Sequence, residues 1–213
     1  MELKIDIFSD PVCPWCFIGQ KSLDAALNSF SHSYKLRWHP FQIFPNAPKN
    51  GMNLDTYLLQ RFGGAENVRR ANIILMNAAT KIGIDIDFEN ISFVPNSFDA
   101  HRLILWSYLR GTQAIAVRSL FEKYFIDGKD ISDHKVLLEI VNLLKLKPRD
   151  VEQRLNSNQD SNRLKVHLKL GREFGINGVP TYLISDQKLI KGFQSISAWR
   201  SIISKLNIST TVS

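Results

Sequence analysis

The chain has 213 residues, 44% of them hydrophobic and 22% charged, with 27 Lys+Arg against 20 Asp+Glu for a formal charge of +7. That length can bury one large core or two modest ones, and no apolar run approaches the roughly 20 residues of a membrane-spanning helix. The positive charge is spread along helical patterns, without zinc-finger spacing or an aromatic RNA-binding signature. It reads as solvated helix faces, with no nucleic-acid or membrane partner and at most a mild preference for acidic substrates.

In chain order, Leu3-Lys4-Ile5-Asp6-Ile7-Phe8 alternates apolar and polar and predicts a strand. Ser9-Asp10-Pro11 breaks it, and a helix follows from about Pro14 to Phe30. Leu36, Trp38 and Phe41 suggest a second strand. A long helical stretch comes next, about five helices, with an apolar stripe at Ala114, Val117, Leu120, Phe121, Tyr124 and Phe125 and another at Val136, Leu137, Ile140, Val141 and Leu144. Asn96 or Ser97 can cap a helix over Phe98 to Leu109, Ser132 can cap the one after Asp133, and Pro148 suits a first turn. A further helix leads into two strands, Thr181 to Ile184 and Gln187 to Ile190, joined at Ser185-Asp186, and a last helix runs from about Ser197 to Leu206.

Cys13 and Cys16 are the only cysteines, three positions apart in Cys13-Pro14-Trp15-Cys16 at the predicted start of the first helix. Unpaired backbone N–H groups and the positive end of the helix dipole favour a thiolate there. A CxxC between a strand and a helix reads as a thioredoxin-like redox site, and with no second cysteine pair and no ligand spacing among the five histidines it is not read as a metal site. Glu2, Lys4 and Asp6 interrupt the N-terminal apolar stretch, so no secretory leader is expected and the cytoplasm is the expected compartment. In that reducing setting a transient, catalytic disulfide is more plausible than a structural one.

Asp10-Pro11-Val12-Cys13-Pro14-Trp15-Cys16-Phe17-Ile18-Gly19, Trp38-His39-Pro40-Phe41-Gln42, Pro95-Asn96-Ser97-Phe98-Asp99-Ala100-His101-Arg102 and Gly178-Val179-Pro180-Thr181 together resemble the FrnE-like branch of the DsbA family. The resemblance implies an α/β thioredoxin fold, a central mixed sheet flanked by helices, made from residues 1–45 and 165–213, with a large all-helical insertion domain over 46–164. It implies thiol–disulfide exchange with Cys13 as nucleophile and Cys16 as resolving thiol, on protein or small-molecule thiols and disulfides. No cofactor is expected beyond the redox-active disulfide, with glutathione a possible co-substrate.

Pro14 and Trp15 lie inside the motif and are candidate substrate contacts. The resemblance also places Val179-Pro180 opposite the cysteines, with a cis bond that turns the Val179 backbone toward an extended substrate strand. Asn96 is a candidate contact on the same ground, against a simpler role as a helix cap. Phe193 is another, because Gly192-Phe193-Gln194-Ser195 departs from the family's usual Gly-Ala-Gln-Pro at that loop. Asp6 is a weak candidate to assist the buried thiol, and His39 and His101 read as structural.

Two other readings stand beside this one. A glutathione-dependent isomerase or transferase of the kappa or 2-hydroxychromene-2-carboxylate isomerase type shares the architecture but generally carries serine where Cys13 stands. A peptide-binding holdase would use the apolar surface around the site, and gives no reason for two cysteines three apart.

Overall fold

The computed structural model describes residues 2–84, 86 and 90–206. The opening alternation becomes β1 (Leu3–Ser9), with Leu3, Ile5 and Ile7 buried on one face and Asp6 and Phe8 partly covered on the other. The chain then enters α1 (Pro14–Leu27), passes to β2 (Tyr34–Pro40), and returns after the helical segment as β5 (Thr181–Ile184) and β6 (Lys188–Lys191). These four strands form one mixed sheet in the order β2-β1-β5-β6, with β1 parallel to β2 and the other pairs antiparallel. Ile7 is flanked by Trp38 on one side and Tyr182 on the other. Residues 185–187 join β5 to β6, and Ser185 and Asp186 have φ of 47° and 59°, the left-handed pair that matches the right-handed twist of the two strands.

Helix α1 and the last helix, α9 (Ile196–Ser204), pack together over the face that carries Tyr182, whose ring meets Trp199 edge-on at 4.7 Å. α8 (Ser161–Glu173) covers the opposite face, with Gly171 against the Phe8 ring. Gly19 is needed for close approach in α1: a Cβ there would lie 2.6 Å from the Tyr182 hydroxyl. Gly19→Ala is therefore expected to cost about 1–3 kcal/mol of stability by overpacking. Tyr182→Phe should recover most of that loss and be neutral or stabilising alone, because the buried hydroxyl has no hydrogen-bond partner among the described residues. Denaturant titration of the two single variants and the double variant checks this.

Between β2 and α8 the chain adds a short antiparallel ladder, β3 (Met52–Asn53) with β4 (Phe93–Val94), and six helices among the described residues where periodicity predicts about five. These are α2 (Leu54–Phe62), α3 (Ala65–Thr80), α4 (Phe98–Tyr108), α5 (Gln113–Phe121), α6 (His134–Glu139) and α7 (Pro148–Leu155). α5 widens into a π-helical turn at Glu122–Ile126, so the stripe that reads as one helix ends with Tyr124 and Phe125 redirected. Gln113 accepts from the Trp38 N–H at 2.9 Å and donates to its carbonyl at 3.0 Å, closing the outer edge of β2 with a side chain.

Two local expectations change and a third is decided between its alternatives. Asp133, not Ser132, caps α6, accepting from the Lys135 N–H, while Ser132 bonds to Asp130. Asn96 supplies the oxygen that receives the Phe98 N–H at 2.9 Å, and Ser97 makes no cap bond. Asp6 does not assist the thiols: it pairs with His39, on the sheet face turned away from α1. The His39 hydrogen bond holds the Asp6 carboxyl below its ordinary range, outweighing partial burial. A depressed carboxyl stabilises the fold above its unfolded pKa of about 4 and loses that contribution as pH falls through the folded value. Asp6→Asn should thus cost about 1 kcal/mol at neutral pH, with the difference fading in acid, as paired denaturation curves at several pH values would show.

Candidate active site

β1 ends at Ser9 and the next four residues form a turn held by Asp10, whose carbonyl receives the Cys13 N–H at 3.0 Å. Cys13 is the N-cap of α1 in an extended conformation, and its side chain makes no cap bond. Pro14 fills the first helical position, where a missing N–H costs nothing. The N–H groups of Cys16 and Phe17 both bond to the Cys13 carbonyl, which leaves the Trp15 N–H without a partner among the described residues. An unpaired donor thus stands at the helix start beside the first sulfur.

Both cysteines are free thiols and both are buried, Cys13 at 4% exposure and Cys16 at 2%. Cys13 lines a cleft of about 920 Å³, and Cys16 does not. Burial first, then the hydrogen bond and proximity to Cys13, push the Cys16 thiol well above its ordinary value, with the Asp10 backbone and the Ser9 hydroxyl opposing. Cys16 is the protonated, inner member of the pair.

The loop before β5 closes over the cysteines. The Val179-Pro180 peptide bond is cis, and the Val179 carbonyl faces the Cys13 sulfur at 3.9 Å. The Val179 N–H has no partner among the described residues. Pro180 packs against Gly19, so the loop, α1 and the Tyr182 hydroxyl meet at one point. Trp15 sits half-buried with its ring 5.8 Å from that of Phe193. Cys13, Pro14, Trp15 and Val179 all line the cleft, and Phe193 joins it through Trp15.

Asn96 lies elsewhere. Its amide nitrogen donates to the Ala47 carbonyl at 2.8 Å, its oxygen caps α4, and it borders a separate groove with Asp99, Arg102 and His134. The side chain fastens a loop and a helix start, away from the sulfurs.

Several cleft residues escape sequence reasoning. Asp10, 0% exposed, accepts from the Ile43 N–H at 2.7 Å and lies 3.5 Å from buried His101, so a carboxylate holds the cleft floor in shape. Tyr57 borders the cleft against Phe44, its phenol raised by burial and further by Asp10 and Cys13. Leu54, Tyr57, Leu58, Arg61 and Phe62 of α2 all face the cleft. Their spacing of three, one, three and one was a readable signal for an amphipathic helix. Tyr124 and Phe125 complete a wall from the π turn, with the Tyr124 hydroxyl donating to the Phe93 carbonyl at 2.9 Å.

Among the described residues no three His, Cys, Asp or Glu side chains are placed to hold a metal ion, and no helix is long and apolar enough to cross a membrane. The arrangement can carry two-electron thiol–disulfide exchange: one sulfur open to a cleft, a second one helical turn behind it, and an unpaired backbone donor at each side.

Residues 4–204 match the profile of the DSBA-like thioredoxin domain family. The fold is similar to that of a probable DsbA oxidoreductase from Streptomyces coelicolor, with a TM-score of 0.84 and 20% identity over 95% of this chain and 89% of that one. It is also similar to a 2-hydroxychromene-2-carboxylate isomerase, with a TM-score of 0.71 and 15% identity over 94% of this chain and 93% of that one. A third similar structure is the cytosolic disulfide reductase DsbM from Pseudomonas aeruginosa, with a TM-score of 0.66 and 18% identity over 94% and 97%; the same protein has been solved with glutathione.

Proposed function

The chain belongs to the DSBA-like thioredoxin domain family, and from that premise we propose that it is a thiol–disulfide oxidoreductase in which Cys13 attacks and Cys16 resolves. One observation carries the reading. The chain's only two cysteines share a helix turn, and one of them opens to the cleft while the other is held protonated behind it. The Cys13 thiolate attacks a substrate disulfide and forms a mixed disulfide. Cys16 then gives up its proton and displaces the substrate thiolate, leaving the Cys13–Cys16 disulfide. The unpartnered Val179 N–H supports a backbone contact to a bound substrate, with Trp15, Pro14 and Phe193 at the rim. The sequence blocks around the cysteines support the FrnE-like branch of the family, and the division into 1–45 plus 165–213 and an inserted 46–164 goes with it.

Thiol or glutathione partners and a cytoplasmic site of action belong to the same proposal. They are supported by the few cysteines and by the similarity to a cytosolic reductase solved with glutathione. A second reading, a glutathione-dependent isomerase, draws support from the similar isomerase fold. The second cysteine has no task in it. Insulin reduction and scrambled-ribonuclease reactivation by wild type, Cys13→Ser and Cys16→Ser, run beside a glutathione-conjugation assay, separate the two. Full redox activity in Cys13→Ser would end the thiol mechanism.

A further inference from the structure

The cleft above Cys13 has an uneven chemical lining. Its walls are mostly apolar, with Phe41, Ile43, Leu58, Leu75 and Val94 among them, and no Asp or Glu among the described residues lines it. Two cations do: Arg61 from α2 and Arg172 from α8. Both are exposed and neither has an ion-pair partner among the described residues. The Arg172 guanidinium lies over the Phe41 ring, 5.7 Å from its centroid, which fixes it at the cleft wall. The nearest buried acid, Asp10, is fully covered and already accepts from the Ile43 N–H. Arg69 and Arg70 pair with Glu66 and Arg118 with Asp24, while Arg37, Arg110, Arg149, Arg163 and Arg200 are exposed without an ion pair among the described residues; what sets Arg61 and Arg172 apart is that they line the cleft.

We propose that the cleft selects small anionic disulfides, molecules with an apolar body and carboxylate groups that Arg61 and Arg172 hold while a sulfur reaches Cys13. This deepens the oxidoreductase reading and rests on it. Two cations at the mouth of a largely apolar cleft, with no ion-pair partner among the described residues, raise the local concentration of anions and slow their escape. Arginine suits the role because its planar fork can take a carboxylate in two hydrogen bonds. The enclosure argues for small substrates: Cys13 is only 4% exposed and is walled by α2, α3 and the π turn, so a compact molecule approaches it more easily than a disulfide in a folded protein.

The chemistry balances without an outside reagent in a single turnover. The Cys13 thiolate bonds to one substrate sulfur, and the other leaves as a thiolate. Cys16 releases its proton to solvent and bonds to Cys13 Sγ, and the second half leaves as a thiolate. The substrate gains the two electrons that the dithiol loses.

The test uses the reduced full-length protein and three disulfide probes: dianionic dithiobis(nitrobenzoate), its neutral bis-amide, and cationic cystamine. Each rate is divided by that of the same probe with free dithiothreitol. The anionic probe should lead the neutral one by about tenfold or more, with cystamine slowest, and added salt should shrink the gap. In Arg61→Gln/Arg172→Gln, with folding confirmed by circular dichroism, the anionic-to-neutral ratio should fall about tenfold. A ratio near one in wild type, a ratio kept in the double variant, or faster normalised reduction of insulin than of the anion would overturn the assignment while leaving the oxidoreductase reading intact. Reduced wild type that reacts with no disulfide would overturn both.

Discussion

Reduced Cys16→Ser protein mixed with a disulfide is expected to stop at a stable mixed disulfide on Cys13, visible as one substrate half added to the intact mass. Cys13→Ser should form none, and both variants should lose turnover on the order of a thousandfold or more. The asymmetry follows from the site. Only Cys13 lines the cleft, so a substrate sulfur meets it first. Cys16 is closed off, and burial together with the adjacent sulfur keeps its thiol protonated well above the ordinary range. With the inner thiol gone, nothing in the chain can displace the bound half, because there is no third cysteine. In wild type the displacement step should quicken as pH rises through neutrality, since each added unit below the raised value yields about tenfold more Cys16 thiolate. Rapid-quench mass analysis across pH resolves the step. A mixed disulfide on Cys16 in the Cys13→Ser variant would reverse the assignment.

The largest stability effect is expected at Arg102. Its side chain is 3% exposed and donates to Asp99 at 2.7 Å, to the carbonyls of Ser157 and Gln159 at 2.8 Å each, and to those of Arg154 and Leu155. One guanidinium therefore satisfies the whole turn between α7 and α8 and fastens it to α4. Its plane also lies 5.0 Å from the Trp106 ring centroid. Arg102→Leu removes every donor at once, leaving the Leu155 carbonyl buried without it and Asp99 with only its His134 contact at 2.9 Å, a loss of about 3–5 kcal/mol. For a chain of this length that corresponds to a melting point lower by roughly 10 °C. Arg102→Lys should recover little, because a single ammonium cannot span the positions the planar fork reaches. Calorimetry of both variants tests it, and a loss under about 1 kcal/mol would mean that water replaces the guanidinium without penalty.

Sequence pattern carries much of the sheet, because strand alternation and turn chemistry are local. Leu3 to Phe8 and Thr181 to Ile184 read as strands, and Ser185-Asp186 as the turn that leads from the second to β6, from neighbours alone. The same local logic misplaces the acid that belongs to the site. Asp6 looked near enough to help, yet the period of two in a strand turns it to the face away from α1, while Asp10, in the break, points inward. It also merges α5 with its π turn, since one extra residue per turn leaves the apolar stripe almost unaltered.

What the sequence by itself determined is the reactive core: two cysteines one helical turn apart, behind a strand and at a helix start, with Pro14 where its missing N–H does no harm. Those features depend on backbone geometry over a few residues. Only the tertiary structure decided which sulfur meets a substrate and what surrounds it. Val179 comes to Cys13 from 166 positions away. Arg61, Arg172, Tyr57 and Tyr124 reach the cleft from separate helical segments. No short-range pattern encodes such meetings, because they are set by how α2, α8 and the π turn pack around the sheet. The same packing moves Asn96 into another groove and brings Arg61 and Arg172 to the cleft without an ion-pair partner among the described residues.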